Sequence, residues 1–252
     1  MKMTSMIIPS RNGLPLLQRC IQSIQKYTDT PYEIIVVDGG STDGSVEYCR
    51  QQQVRFISTP SSRGFTRSYN LGLHLGSGDA LLLLNNDVVA SPRWLSNLLN
   101  CLYSSEEIGI AGPVTRPTSS KQIADMPVNP LKQSTEMINL PDSRKWKSVE
   151  RLDGFCFLIK RELVERIGFL DEQFPPGYFE DDFCYRARLS GYRLLMAGDT
   201  FVFDPGSASH ASHHKEDNRQ VQNPANPNDH KFVQKWGVDP RSFVRIEGGD
   251  TA

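Results

Sequence analysis

The feature that most constrains this chain is a rhythm of short apolar runs separated by segments with helical spacing. Residues 34–37 (Ile-Ile-Val-Val) and residues 80–84 (Ala followed by four Leu) are apolar at every position. Strands of that kind are covered on both faces of their sheet. Residues 15–27 instead place apolar side chains every three or four positions, as an amphipathic helix does. The rhythm predicts an α/β fold with a mainly parallel sheet and helices on both faces.

The same pattern continues along the chain and predicts its remaining elements. Further strands are predicted at residues 6–9, 54–57, 108–110, 155–159, 192–196 and 201–203. Further helices are predicted near residues 46–49, 65–75, 92–103, 161–167, 182–190 and 231–236. Two stretches lack a clear period and are predicted to be variable loops, residues 115–149 and residues 205–229.

The length of 252 residues suits one large domain over residues 1–252. We expect residues 1–113 to form a ligand-binding half and residues 114–252 to carry the two variable loops. The formal net charge of −1 argues against binding nucleic acid through a basic face. Five scattered cysteines without a C-x-x-C pair favour a reduced, cytoplasmic protein. The sequence shows no signal peptide or transmembrane run, so a membrane role would require peripheral attachment.

Two polar corners are predicted where buried strands end, at the sheet edge at which α/β proteins bind ligands. Asp38, followed by Gly39, could accept hydrogen bonds from a nucleobase or a ribose, or could simply start a turn. Asn85, Asn86 and Asp87 form an oxygen-rich corner after the fourth predicted strand, residues 80–84. Such oxygens suit Mg²⁺ or Mn²⁺ held partly by substrate phosphates, and the alternative is an ordinary turn before a helix.

Three consecutive acids, Glu180, Asp181 and Asp182, form a third candidate site. Crowded carboxylates raise one another's pKa, which suits a general base acting near neutral pH. The alternative is a helix N-terminus, where the helix dipole favours acids. Both interpretations can hold together.

A group of histidines lies in the predicted loop, at His210, His213 and His214. The spacing matches no closed zinc site, so solvent exposure is the simpler interpretation of His213 and His214. Three common motifs are absent: the phosphate loop G-x-x-x-x-G-K-[ST], the dinucleotide fingerprint G-x-G-x-x-G, and the hydrolase elbow G-x-S-x-G.

Taken in order, these motifs resemble the family 2 inverting glycosyltransferases with a GT-A fold, and the resemblance covers nearly the whole chain. The matching segments are residues 7–12, 34–44, 64–72, 78–87, 94–99, 153–161, 168–172, 179–186, 191–192 and 235–237. The resemblance implies transfer of a sugar from a UDP-, dTDP- or GDP-linked donor, with a divalent metal ion. The acceptor would be a carbohydrate, a lipid-linked glycan or a protein, as in the synthesis of surface polysaccharides and glycoconjugates.

The resemblance also implies roles for individual residues. Those expected to surround the donor are Pro9, Arg11, Asp38, Gly39, Arg63, Gly64, Asn70, Asn85, Asn86, Asp153 and Gly154. Asp87 is expected to bind the metal ion. The run of acids is expected to supply the base, with Asp181 favoured, Asp182 second and Glu180 beside them.

Three departures from the family pattern stand out. The metal-binding D-x-D position has only Asp87 as an acid, and the usual E-D-x-D run is one residue short. Family members often carry a His after the late strand, where Asp204 stands here. Either Asp204 or His210 is the second metal ligand, or that ligand is missing. These departures leave a non-catalytic nucleotide-sugar-binding module as the main alternative. A nucleotidyltransferase is disfavoured because Arg11-Asn12-Gly13 is a poor phosphate loop.

Overall fold

The computed structural model describes residues 2–62, 64–115, 139–205, 227–240 and 242. The strands are β1 (Thr4–Ser10), β2 (Tyr32–Asp38), β3 (Arg55–Ser58), β4 (Ala80–Leu84), β5 (Ile108–Val114), β6 (Trp146–Val149), β7 (Cys156–Lys160) and β8 (Arg193–Phe201). The helices are α1 (Leu14–Tyr27), α2 (Ser45–Gln51), α3 (Phe65–Leu75), α4 (Trp94–Leu102), α5 (Arg161–Ile167), α6 (Phe179–Leu189) and α7 (Pro227–Trp236). A single 3₁₀ turn, Ser143–Lys145, precedes β6.

The described strands form one sheet in the order β3-β2-β1-β4-β7-β5-β8-β6. Strands β3, β2, β1 and β4 run parallel to one another. Strand β7 is antiparallel to both of its neighbours, β5 and β8 are parallel, and β6 is an antiparallel edge. The α/β class with helices on both faces is therefore confirmed, and the sheet is mixed in its second half.

Two hydrophobic cores cover the two faces of the sheet. Alternate residues of β1 point to opposite sides, so Met6 and Ile8 enter one core and Ile7 enters the other. Helices α1, α2 and α4 cover the first face. Helices α3, α5, α6 and α7 cover the second face. Burial on both faces explains why residues 34–37 of β2 and all of β4 are apolar.

The change of face between α2 and α3 marks a topological switch point of the sheet. The chain proceeds from β1 outward to β2 and β3, then returns across the sheet and adds β4 on the other side of β1. The pairing of β1 with β4 reaches Ile7↔Leu83, whereas its pairing with β2 continues to Ser10↔Asp38. Such a topological switch point is where open α/β sheets bind ligands.

Several predicted boundaries are wrong. The predicted loop at residues 115–149 ends in β6, a four-residue edge strand whose two central residues are exposed, so it lacks an apolar signature. The predicted strands at residues 192–196 and 201–203 belong largely to the single nine-residue strand β8, whose register against β5 shifts near its end. Helix α6 begins at Phe179 rather than at residue 182, and α7 begins at Pro227, inside the predicted loop at residues 205–229.

All five cysteines are buried and unbonded, as small apolar side chains in the core. Within the described residues, none of the helices combines the length and apolar character needed to cross a bilayer.

Candidate active site

The predicted polar corners meet at the carboxyl edge of β1, β2 and β4. Asp38 is the last residue of β2, and Asn85 directly follows β4. Ser10 ends β1 between them, since β1 is the strand that both neighbours flank. The site is therefore built on the ends of central strands, whose cores on both faces hold the backbone rigidly.

Asp38 is 2% exposed, and its carboxylate is held by the turn that follows it. Oδ2 accepts hydrogen bonds from the backbone N–H groups of Gly40 (3.1 Å) and Ser41 (3.2 Å), and from the hydroxyl of Ser58 (2.7 Å). The turn-forming interpretation of Asp38 therefore holds. Binding of a nucleoside by the same carboxylate stays a prediction.

The loops after β1 and β2 are joined by side-chain hydrogen bonds that the sequence analysis missed. The backbone N–H of Asn12 donates to Ser41 Oγ (2.9 Å), and the backbone N–H of Thr42 donates to Asn12 Oδ1 (2.8 Å). Asp43 Oδ2 accepts from the backbone N–H of Leu14 and so caps helix α1 from the other loop (2.8 Å). The signal for this arrangement was the run of Ser, Thr and Asp in one loop opposite Asn in the other.

The residues predicted to bind the sugar donor in this region lie beside the two hydrogen-bonded loops. Pro9 is paired opposite Val37 within the sheet, and Arg11 is exposed on the following loop. A Cβ built on Gly39 would lie 3.5 Å from Arg11 Cβ, so these two residues are packed together. Gly64 precedes helix α3, and Arg63 lies outside the described residues.

Gly40 shows why the turn after Asp38 contains glycine. Its φ is +80°, a conformation that disfavours residues with a Cβ. A Cβ there would also lie 2.9 Å from the carbonyl oxygen of Pro60 and 3.0 Å from that of Thr59. Only glycine lets the loop after β2 approach the loop after β3 this closely.

The two amide side chains in the corner after β4 are fixed by hydrogen bonds to neighbouring residues. Asn85 Oδ1 accepts a hydrogen bond from the Tyr69 hydroxyl (3.1 Å), and Asn86 Nδ2 donates to Ser10 Oγ (3.1 Å). Asp87 is 2% exposed and is the acid of this corner. Burial first, and then the charge of Asp87, raises the pKa of the Cys20 thiol well above its ordinary value. Asn85 and Asn86 thus shape the corner in which Asp87 is held.

The second predicted metal ligand is brought towards this corner by a short pairing. Val89, two residues after Asp87, exchanges backbone hydrogen bonds with Phe203 (2.8 and 3.0 Å). Asp204 follows directly, and its backbone N–H donates to Thr115 Oγ1 (3.1 Å). The other candidate ligand, His210, lies outside the described residues, as do His213 and His214.

No group of three His, Cys, Asp or Glu side chains that could enclose a metal ion occurs among residues 2–62, 64–115, 139–205 and 227–240. The donor set fits a different kind of metal site. Mg²⁺ and Mn²⁺ are commonly held by one or two carboxylates together with substrate phosphates. Asp87 and Asp204 suit that arrangement, in which the substrate completes the coordination.

The acidic turn packs directly against the segment beside this corner. The backbone N–H of Asn85 donates to the carbonyl of Phe155 (2.9 Å), which fixes the neighbouring Gly154 close to the end of β4. A Cβ built on Gly154 would lie 2.8 Å from Glu180 Cγ and 2.9 Å from the ring of Phe179. Glycine at this position therefore allows the first turn of α6 to reach the carboxyl edge.

The three consecutive acids have three different environments. Asp182 is fully buried and lies in a cluster of donors. Its Oδ2 accepts from Arg186 Nε (2.8 Å), and its Oδ1 accepts from Lys235 Nζ (2.6 Å) and Trp236 Nε1 (2.9 Å). In this arrangement the carboxylate of Asp182 is occupied by three donors, which disfavours it as the base. Its role as a candidate base stays a prediction.

Asp181 and Glu180 differ in charge pairing. Asp181 Oδ1 lies 2.6 Å from Arg151 Nε, and Asp153 Oδ1 lies 3.7 Å from another nitrogen of the same guanidinium. Glu180 forms no ion pair within the described part of the chain. Its Oε2 accepts a hydrogen bond from the backbone N–H of Gly177 (2.7 Å).

Burial raises the pKa of Glu180 to about 8. The Arg151 charge opposes this shift and the Asp181 charge adds to it. Tyr69, whose hydroxyl donates to Asn85 Oδ1, lies near both Glu180 and the corner after β4. Burial, then the charges of Glu180 and Asp87, raises the pKa of Tyr69. Both acids therefore lie within electrostatic reach of one side chain.

Asn70 is fixed by hydrogen bonds to the loop after α5. Its Oδ1 accepts from the backbone N–H of Leu170 (3.0 Å), and its Nδ2 donates to the carbonyl of Leu170 (2.9 Å) and to Glu172 Oε1 (3.3 Å). The amide thus ties α3 to this loop, and its place in the donor pocket stays a prediction.

Comparison with known proteins shows which protein family this chain resembles. The model of the family described as glycosyl transferase family 2 matches residues 5–168. The low-salt glycan biosynthesis hexosyltransferase Agl10 of Haloferax volcanii is 26% identical over 164 residues, covering 62% of this chain and 53% of the relative. An N-acetylglucosaminyl-diphospho-decaprenol L-rhamnosyltransferase of Mycobacterium tuberculosis is 26% identical over 234 residues, covering 80% of this chain and 72% of the relative.

The fold has solved counterparts. The mannosyltransferase PcManGT from Pyrobaculum calidifontis, in complex with GDP-Man and Mn²⁺, superposes with a TM-score of 0.69 and 21% identity, over 96% of this chain and 67% of that one. The expected GT-A fold is thereby confirmed.

The chain spans about half the length of Agl10, one of the curated relatives it matches. With the family model matching well over half of its residues, the chain belongs to glycosyl transferase family 2.

Proposed function

We propose that this chain is a metal-assisted, inverting glycosyltransferase that moves a sugar from a nucleoside-diphosphate sugar to an acceptor hydroxyl. One observation carries the proposal: two buried acids, Asp87 after β4 and Glu180 in the first turn of α6, lie near the switch point of the sheet. Glu180 has no ion pair among the described residues and packs against Gly154. The relatives named above are a hexosyltransferase and a rhamnosyltransferase, and the structural counterpart carries GDP-Man and Mn²⁺.

The donor would lie along the carboxyl edge, with its nucleoside towards β2 and its diphosphate towards β4. Asp38 offers a rigid buried acceptor for a base or ribose, because its own turn already fixes its orientation. The residues proposed to border the nucleoside are Pro9, Arg11, Asp38, Gly39, Arg63 and Gly64. Asn85 and Asn86 shape the floor on which the diphosphate would rest.

Asp87 and Asp204 would hold the divalent ion, with His210 as a further candidate ligand. When bound, Mg²⁺ or Mn²⁺ supplies Lewis-acid stabilisation of the negative charge that grows on the leaving diphosphate. The two carboxylates belong to segments tied together by the Val89–Phe203 pairing, so their separation is fixed by backbone hydrogen bonds.

The proton of the acceptor hydroxyl needs a base on the side opposite the leaving diphosphate. We assign this role to Glu180 rather than to Asp181, which the sequence alone favours. Asp181 is paired with Arg151, and a cation at that distance stabilises the carboxylate and weakens it as a base. Glu180 has no such partner in the described chain, and a pKa of about 8 suits proton transfer near neutral pH.

The acceptor is proposed to be a carbohydrate, a lipid-linked glycan or a protein, approaching past Asp153 and Gly154. The name of the mycobacterial relative specifies an N-acetylglucosaminyl-diphospho-decaprenol acceptor, which supports a lipid-linked glycan. Work on such an acceptor would place the protein at the cytoplasmic face of a membrane, held peripherally.

The test is a thermal-shift and calorimetry panel with UDP, GDP and dTDP, each with and without Mn²⁺ or Mg²⁺, followed by nucleoside-diphosphate release from the matching nucleotide-sugars. We expect one nucleotide to stabilise the protein in a metal-dependent way, by about 2.7 kcal/mol at one hundred times its Kd. Asp87→Asn should abolish the metal dependence, whereas Glu47→Gln, at an exposed position of α2, serves as the matched control.

Lack of response to every nucleotide with either metal would contradict the donor site. Metal-dependent binding without release of nucleoside diphosphate from any nucleotide-sugar would favour a non-catalytic binding module.

A further inference from the structure

The terminal helix α7 lies next to the acidic turn, far from it in sequence. Phe232 of α7 is fully buried, and its ring centroid lies 5.9 Å from that of Phe174 and 6.4 Å from that of Tyr185. The apolar side of α7 is thus anchored to both ends of the segment that carries the acids. The polar side chains of α7 make further contacts with the same segment.

Those polar contacts converge on the first turn of α6. Lys235 Nζ lies 2.6 Å from Asp182 Oδ1, and Trp236 Nε1 donates to the same oxygen at 2.9 Å. Asp229 Oδ1 accepts from the hydroxyl of Tyr178, the residue that caps the N-terminus of α6 (2.8 Å). Helix α7 therefore contacts both the cap and the first turn of the helix that presents Glu180.

The second oxygen of Asp182 fixes the turn from the other side. Arg186 Nε donates to Oδ2 at 2.8 Å, and the same guanidinium donates to the carbonyls of Ile167 (2.7 Å) and Phe169 (2.8 Å). A carboxylate with every oxygen engaged, at zero exposure, has one orientation. Because side chains on a helix are separated by about 100° per residue, fixing Asp182 also fixes the direction of Glu180, two residues earlier.

We propose that Lys235 and Trp236 are positioning residues that hold Asp182 and thereby aim Glu180 at Gly154. The inference rests on the proposed function for its catalytic consequence. Lys235 touches no reacting atom; it acts through Asp182.

The chain supplies a matched control for this proposal. Lys235 Nζ also lies 2.6 Å from Asp171 Oδ2, in the loop before α6. Asp171→Asn removes one of the two ion pairs of Lys235 and leaves the pair with Asp182 in place. Lys235→Met removes both, and Trp236→Phe removes only the N–H donor while keeping an aromatic ring.

The experiment measures hydrogen exchange of the backbone amides of residues 178–184 in the full chain, for the wild type and the three variants. We expect faster exchange in Lys235→Met and Trp236→Phe, and exchange close to wild type in Asp171→Asn. This readout needs no substrate, so it tests the positioning even if no nucleotide-sugar is turned over. Unchanged exchange in both Lys235→Met and Trp236→Phe would overturn the proposal.

Turnover supplies the second readout, using nucleoside-diphosphate release from UDP-, GDP- and dTDP-sugars. Lys235→Met should lower kcat at least tenfold with an unchanged KM for the donor, because the base is misaligned and the donor site is intact. Lys235→Arg should recover part of the loss. A rise in KM at constant kcat would contradict positioning of the base, whereas a wild type without turnover would count against the proposed function alone. If Lys235→Met fails to fold, Trp236→Phe carries both readouts.

Discussion

Two carboxylates of this molecule, Asp38 and Asp182, are almost equally buried and are held in opposite ways. Asp38 accepts hydrogen bonds from uncharged groups, two backbone N–H groups and the hydroxyl of Ser58. Asp182 accepts from two cations and an indole N–H. Partners of Asp38 lie 2 to 20 residues away, whereas Lys235 lies 53 residues from Asp182. One acid is fixed by its local loop, and the other by the tertiary fold.

The difference has a consequence for Glu180, which stands beside the charged cluster without belonging to it. We expect Glu180→Gln to lower turnover by a factor of about 10² to 10⁴, the usual contribution of a general base. In the wild type, turnover should rise with pH as the carboxyl of Glu180, with its pKa of about 8, loses its proton. The pH profile of nucleoside-diphosphate release checks both points. A larger loss in Asp181→Asn than in Glu180→Gln would move the base to Asp181.

Stability should respond to pH in the opposite direction. The folded-state pKa of Glu180 is raised above its ordinary value of 4.5, so its stabilising effect is full below pH 4.5 and is lost as pH rises through 8. Urea unfolding at pH 6 and pH 9 should therefore show a wild-type loss on the order of a few kcal/mol that Glu180→Gln lacks. The charged and titratable groups facing Glu180 are Arg151, Asp181, Tyr69 and Cys184.

The next largest effect concerns Asp182. Replacing it by Asn leaves Arg186 without its charge partner and leaves Lys235 paired with Asp171 alone, in a largely buried site. We expect a loss in the free energy of unfolding on the order of 3 kcal/mol, measured by urea denaturation. Glu47→Gln breaks an exposed ion pair with Arg50 and should cost less than about 1 kcal/mol. Equal losses in the two variants would show that the cluster around Asp182 behaves as a surface pair.

The smallest effect is expected at Asp38, the acid that is held by its own loop. Ser58→Ala removes one of the hydrogen bonds to Asp38 and leaves both backbone N–H donors in place. We expect a loss of about 1 kcal/mol in the free energy of unfolding, since the turn still holds the carboxylate. A loss as large as that of Asp182→Asn would remove the distinction between local and tertiary support.

This distinction also separates what the sequence could predict from what it could not. The bounds of α3, β4 and α5 are predicted exactly, because their apolar spacing is unambiguous. Strand β6 was missed because an edge strand with exposed Lys147 and Ser148 carries no such pattern. The start of α7 was missed because Phe232 is its single fully buried side chain.

The same holds within the site. The corner at Asn85–Asp87 could be placed from sequence, because it follows a strand whose apolar run is complete. The direction of each acid could not be predicted. Three consecutive residues of a helix point in three directions, and the sequence does not give the rotation of the helix about its axis. That rotation is decided by Phe179 and Phe183 in the core and by partners at Arg151 and Lys235.

The contacts between Asp182 and α7 also bear on how the protein matures as it is synthesised. The strands and helices up to β7 can pair while the chain is still emerging from the ribosome, because domains fold from their N-terminal parts onwards. Asp182 gains Lys235 and Trp236 only after a further 54 residues have been added. On the proposed function, we expect a nascent or prematurely ended chain to bind the nucleotide-sugar donor without transferring its sugar, because its acidic turn is unfinished.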